Sequence, residues 1–128
     1  MSSDLDRIEL LVELAVELQR AGMATQRLES TVAGVATALG LELRFFAIPT
    51  ALWIWIRSGE REITRVLSST DAETHLARLT ELRSLCRELC DGLDPAEARA
   101  RLFPIRALGR PKAWLETLAF CSLGASAA

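Results

Sequence analysis

The sequence predicts an α+β fold: two N-terminal helices, a three-stranded antiparallel sheet, then two to three helices. Three observations carry that prediction. Apolar residues recur at helical spacing from Asp4 to Leu39, alternation and short apolar runs take over between Leu41 and Leu67, and helical spacing with cap signals returns from Thr70 onward.

The first helix is expected from Asp4 to Gln19. Leu5, Ile8, Leu10, Leu11, Val12, Leu14, Ala15, Val16 and Leu18 cover most of its surface and leave an acidic stripe of Asp6, Glu9, Glu13 and Glu17, so more than half its girth should be buried. Gly22 can supply a left-handed stop, and Thr25 is expected to cap a second helix with the apolar face Leu28, Val32, Val35, Ala36 and Leu39, ended by Gly40.

In the sheet region Leu41, Leu43 and Phe45 alternate with Glu42 and Arg44, and Pro49 breaks the run. The next stretch, ALWIWI from Ala51 to Ile56, is apolar on both strand faces, and a Ser58-Gly59 turn leads to EITRVL. This pattern predicts a meander whose middle strand is covered on both sides. Trp53 and Trp55 share one face of that strand and are expected in a core or an interface, there being no basic patch around them for base stacking.

Thr70 and Glu73 form a capping box ahead of Leu76, Leu79, Leu82, Cys86, Leu89 and Cys90, which carry a long third helix to Gly92. The sequence DPAE then opens a fourth, with Asp94 as cap, Pro95 as first helical residue, Glu97 as reciprocal acid and Leu93 with Ala98 as staple. Pro104 and Gly109 limit its length.

Composition narrows the function. The 128 residues carry 15 basic and 17 acidic side chains, a formal net charge of -2, so no global field favours nucleic acid. Cys86, Cys90 and Cys121 show no CxxC and no paired histidine, which suits reduced, packed thiols and predicts neither a disulfide framework nor a metal site. The acidic start MSSDLDRIELL lacks the basic region of a signal peptide. His75, the one histidine, is expected on the surface in the first turns of the third helix.

The terminal run PKAWLETLAFCSLGASAA comes after Arg106 and Arg110, and beyond Lys112 it carries a single charge, Glu116. A membrane span needs about 20 mostly apolar residues and 16 remain after Lys112, so one of two readings the composition leaves open is the start of a truncated membrane helix at 110–128, preceded by an α+β domain at 1–109. Trp114 suits an interfacial position, and the cations before it would keep the domain on the cytoplasmic side of the inner membrane. An amphipathic helix packed on the domain is the other reading of the same residues.

The stretch AGMATQRLESTVAGVATALGLE resembles the signature of the threonine/serine exporter family, a Gly-x-Glu-Thr-x-Arg-x-Glu core before a helix ending in Ala-Leu-Gly. Gly22, Thr25, Arg27 and Glu29 match, and Ala24 stands where the family has an acid. FAIPTALWIWI is similar to the family's Ala-x-Pro-Thr ahead of a strand, and ITRV, the long helix and DPAEARARLFPI continue the resemblance in order. The resemblance implies a soluble accessory or gating domain of a secondary exporter of threonine, serine or related small carboxylates. It implies no enzyme and no cofactor, and a chain that transports only with a membrane-helix bundle, its own or a companion's, as partner. A homo-oligomer is a second possible partnership.

Within this frame Thr25, Arg27, Glu29 and Thr50 are the candidate solute-binding residues, with Arg27 suited to hold a carboxylate in bidentate fashion. Local roles compete: Thr25 as an N-cap, Glu29 as a first-turn acid, Arg27 as partner of Glu9, Glu13 and Glu17. Two alternatives to the exporter are a small hydrolase using Thr25, Glu29 and His75, and a free-standing dimeric interaction module.

Overall fold

The computed structural model describes residues 4–48, 50–68 and 75–107. The elements are α1 (Asp4–Arg20), α2 (Thr25–Ala38), β1 (Glu42–Ile48), β2 (Ala51–Ser58), β3 (Arg61–Ser68), α3 (Leu76–Cys90) and α4 (Pro95–Ala107). The α+β class and the element order agree with the sequence. No helix among the described residues is long and apolar enough to cross a membrane. The expected partial membrane helix at 110–128 lies outside the described residues.

Both N-terminal helices stop as their glycines predict. Gly22 at φ 96° and Gly40 at φ 73° let the chain reverse, so that Met23 N–H reaches the Leu18 carbonyl (3.1 Å) and Leu41 N–H the Ala36 carbonyl (2.9 Å). The helix starts differ more from expectation. Ala24, with extended backbone and no side-chain cap bond, precedes α2, so Thr25 is its first helical residue and not its cap. At α3 the cap is His75, whose Nδ1 accepts from Arg78 N–H at 3.1 Å; the Thr70 and Glu73 box lies outside the described residues. His75 thus stands before the helix, not within its first turns. Pro95 opens α4 as predicted, but Pro104 sits inside that helix and does not end it. The carbonyl it frees belongs to Ala100, on the exposed side, where water can take it.

The sheet is the predicted meander, in order β1-β2-β3. In the β1–β2 ladder Phe46 opposes Trp53 and Ile48 opposes Ala51, and in the β2–β3 ladder Trp53 opposes Val66 and Trp55 opposes Thr64. Leu52, Ile54 and Ile56 are fully buried against the helices, with α1 packed on β2 and α2 on β1. The other face corrects the expectation of a doubly covered middle strand: no described element lies on it, and Trp53 remains 38% exposed. Apolar residues on both sides of β2 signal burial twice, but among the described residues only one side has helices.

The core is arranged around α1, which touches α2, α3, α4 and β2. Ile8, Leu10, Leu11, Leu14, Ala15 and Leu18 are all but inaccessible, so most of the apolar girth is used within the domain. The acidic stripe is also covered. Arg99 of α4 lies 3.3 Å from Asp6 and 3.6 Å from Glu13, Arg65 of β3 lies 2.8 Å from Glu9, and Glu17 has Arg106 at 3.3 Å and Arg20 at 3.7 Å among its partners. Glu17 is 1% exposed, a buried carboxylate that folding tolerates because guanidinium groups meet it. Away from α1, a hydrogen bond from Arg101 holds the Glu88 carboxyl below its ordinary range.

This packing makes measurable demands. Glu17→Gln should lower stability by roughly 2–3 kcal/mol, somewhat under the usual cost of breaking a buried pair because Arg20 and Arg106 keep solvent contact. Glu42→Gln, whose partner Arg57 is half exposed, should cost less than about 1 kcal/mol; denaturant midpoints compare the two. His75→Ala, which removes the cap of α3, should cost about 0.5–2 kcal/mol, measurable as faster amide exchange in the first turn of α3. Burial, with a smaller contribution from Cys90, pushes the Cys86 thiol from 9.0 up to about 12. A thiol raised on folding contributes stability below 9.0 that is lost as pH rises toward 12. Native protein at about pH 8 should therefore alkylate at exposed Cys90 and spare Cys86, and Cys86→Ala should flatten the alkaline fall in stability.

Candidate functional site

The four sequence-predicted residues lie toward one end of the molecule. Thr25, Arg27 and Glu29 occupy the first turns of α2, directly after the corner that closes α1, and Thr50 lies in the β1–β2 turn. That turn is tied to α1 by Gln19, a buried residue whose Nε2 donates to the Ile48 carbonyl (2.9 Å) and the Ala51 carbonyl (3.2 Å). Nearby, His75 N–H donates to the Ala21 carbonyl at 3.2 Å, so the start of α3 reaches the same corner. Sequence reasoning misses Gln19; a lone amide on an otherwise apolar helix face is the available signal.

The structure brings the elements together but not the side chains. No hydrogen bond or ion pair joins Thr25, Arg27, Glu29 and Thr50 to one another among the described residues. Arg27, Glu29 and Thr50 are exposed and Thr25 is half-buried. The expected pairing of Arg27 with Glu9, Glu13 and Glu17 does not form: those carboxylates face Arg65, Arg99, Arg106 and Arg20 instead. The stripe points toward α4 and β3, whereas α2 packs elsewhere on α1. Arg27 is therefore left with its guanidinium in solvent, and its carbonyl accepts a hydrogen bond from Ser30 Oγ at 3.1 Å.

Two depressions carry polar chemistry. Between α2 and α3 an open groove of about 270 Å³ is lined by Ser30, Thr31 and Gly34 on one side and Arg83, Cys86, Arg87 and Cys90 on the other. On the open sheet face a shallow dish of about 510 Å³ is lined by Glu42, Arg44, Trp53, Trp55 and Arg57. There the Trp55 ring lies between two guanidinium groups, Arg44 at 5.7 Å and Arg57 at 5.8 Å, and its Nε1 donates to the Glu62 carboxylate. Arg57 is in turn paired with Glu42. This charged, aromatic patch is invisible as a site in the sequence because its members come from three strands.

For acid–base chemistry the arrangement offers little. His75 Nδ1 is engaged in the cap of α3 and no hydrogen bond links it to Thr25 or Glu29 among the described residues. No group of three or more His, Cys, Asp or Glu side chains that could hold a metal ion occurs among the described residues. Arg78, 6% exposed, keeps Nε and Nη1 without a hydrogen-bond partner among the described residues.

Comparison with known proteins adds the family. No curated protein and no solved structure matches the chain. The model of the ThrE family, described as "Putative threonine/serine exporter", matches residues 9–128. That span takes in every strand, all of α2, α3 and α4, most of α1 and the terminal apolar run. The chain belongs to the threonine/serine exporter family.

Proposed function

We propose that this chain contributes the cytoplasm-facing α+β domain of a secondary exporter of threonine, serine or related small carboxylates. It works at the inner membrane with a bundle of membrane helices, on its own or a companion chain, and moves no solute by itself. The observation that carries this reading is the extent of the family match, which runs through the folded domain and on through the apolar run after Lys112. A path through a bilayer takes helices of about 20 apolar residues, and in this reading the bundle supplies them.

The solute contacts in this reading are Thr25, Arg27, Glu29 and Thr50. Support comes from their common end of the molecule and from Arg27, an exposed guanidinium with no ion pair among the described residues, free to grip a carboxylate with two parallel hydrogen bonds. Glu29 diverges in direction from Arg27 and shares a helix face with Thr25, four residues before it, so in this reading the two sides of the helix start meet the solute path separately.

Efflux of labelled threonine and serine from loaded cells tests the proposal. The chain expressed without the bundle should give no efflux, and the bundle with the chain should export. Arg27→Ala should raise the half-saturating solute concentration about tenfold or more, hydrogen bonds to charged groups being worth about 1.5–3 kcal/mol. Export by the bundle that is indifferent to the presence of this chain would overturn the reading.

A further inference from the structure

The uncovered sheet face is not uniform along its strands. Toward the β1–β2 turn it presents Phe46 (61% exposed), Ile48 (42%), Trp53 (38%) and Val66 (70%). Phe46 and Val66 flank Trp53 across the two ladders, so these side chains form one continuous patch. Toward the other end the same face carries Glu42, Arg44, Trp55, Arg57 and Glu62, joined by the Arg57–Glu42 ion pair, the hydrogen bond from Trp55 to Glu62 and the cation–π contacts. The surface is apolar at one end and charged at the other.

The position of the apolar end is fixed by polar contacts. Arg106, in the last turn of α4, meets Glu17 in the last turn of α1, and Gln19, two residues on, holds the β1–β2 turn. The chain therefore leaves α4 at Ala107 on the end of the molecule where the apolar patch lies. Past that point, the sequence of residues 108–128 contains the run from Ala113 onward with Glu116 as its one charge.

From this placement we propose that the turn end of the open sheet face seats in the boundary between headgroups and acyl chains of a phospholipid bilayer. Phe46, Ile48, Trp53 and Val66 lie below the headgroups, and Trp55 with Arg44 and Arg57 lies at their level. The inference rests on the reading of the terminal run as a membrane segment, and it adds the surface by which the folded domain meets the lipid. Trp53 and Trp55 are two residues apart, roughly 7 Å along a strand, about the depth of one headgroup layer. Aromatic side chains favour that layer, and arginines keep their charge in it while their stems stay apolar. A second copy fits less well: four partly exposed side chains offer a few hundred Å², short of the about 800 Å² that each partner buries in a stable complex.

The test uses the full chain with an environment-sensitive fluorophore on one cysteine at a time. Cys90→Ser with Cys121→Ser clears the reactive thiols, Cys86 being buried. Labels then go on Val66→Cys in the patch, on Arg83→Cys of α3, or on native Cys121 with only Cys90 replaced. On adding vesicles of phosphatidylcholine and phosphatidylglycerol, the labels at 66 and 121 should shift to the blue, brighten several-fold and be quenched by nitroxide-bearing lipid, while the label at 83 stays in water. A label at 121 that enters lipid while 66 remains as wet as 83 overturns this proposal and leaves the exporter reading standing. A label at 121 that stays wet overturns both. Shielding at 66 before vesicles are added also overturns the proposal: loss of that shielding on dilution assigns the face to a second copy, and its persistence assigns the face to the chain's own terminal run.

Discussion

The fold depends on how α1 is held. A helix with apolar residues on most of its surface and four acids on the remainder has no free side, so every neighbour must satisfy part of it. Ile8, Leu10, Leu11, Leu14 and Leu18 are buried where α1 meets α2, α3 and β2, and the acids meet arginines from β3, α4 and the helix's own last turn. Most of these pairs are half in solvent and contribute modestly. Glu17 is different, because a carboxylate without water must have cations, and that requirement orients the end of α4. Polar groups clamp α1 at both extremities: Arg7 donates to the Leu39 carbonyl at 2.6 Å near its start, and Gln19 grips the β1–β2 turn near its end.

Much of the fold is legible because local rules and tertiary packing agree. Gly22 and Gly40 stop helices where the helical pattern stops, Pro95 opens α4, and the alternation around Leu43 and Phe45 marks a strand with one wet face. Where legibility fails, a local signal admits two structures. Thr25 and Ala24 differ by one position as caps, a slip within the ordinary uncertainty of helix ends. His75 reads as a surface residue because imidazole is an uncommon cap; only the position of its Nδ1 against the Arg78 amide reveals the role. In ALWIWI both faces are apolar, whereas the described helices form a layer on one side, and sequence alone does not say which face that is.

The candidate site is legible as a motif and not as a geometry. The match at Gly22, Thr25, Arg27 and Glu29 points to the family that the chain belongs to. Which acids Arg27 meets is a question of helix rotation, since residues two apart on a helix diverge in direction. The acids of α1 turn toward α4, leaving Arg27 in solvent. The stack of Arg44, Trp55 and Arg57 depends on strand register, which pairs residues far apart in the chain.

A two-residue hairpin loop ordinarily asks for glycine or asparagine, because its backbone must enter the left-handed region. Pro49 and Thr50 offer neither, and the carbonyls on either side of them, at Ile48 and Ala51, are taken by Gln19 from 29 and 32 residues upstream. Part of what holds the two strands at this end is thus supplied from a helix outside the hairpin. A change at that amide therefore reaches the pairing of the first two strands from a helix 29 residues before the nearer of the two carbonyls it holds.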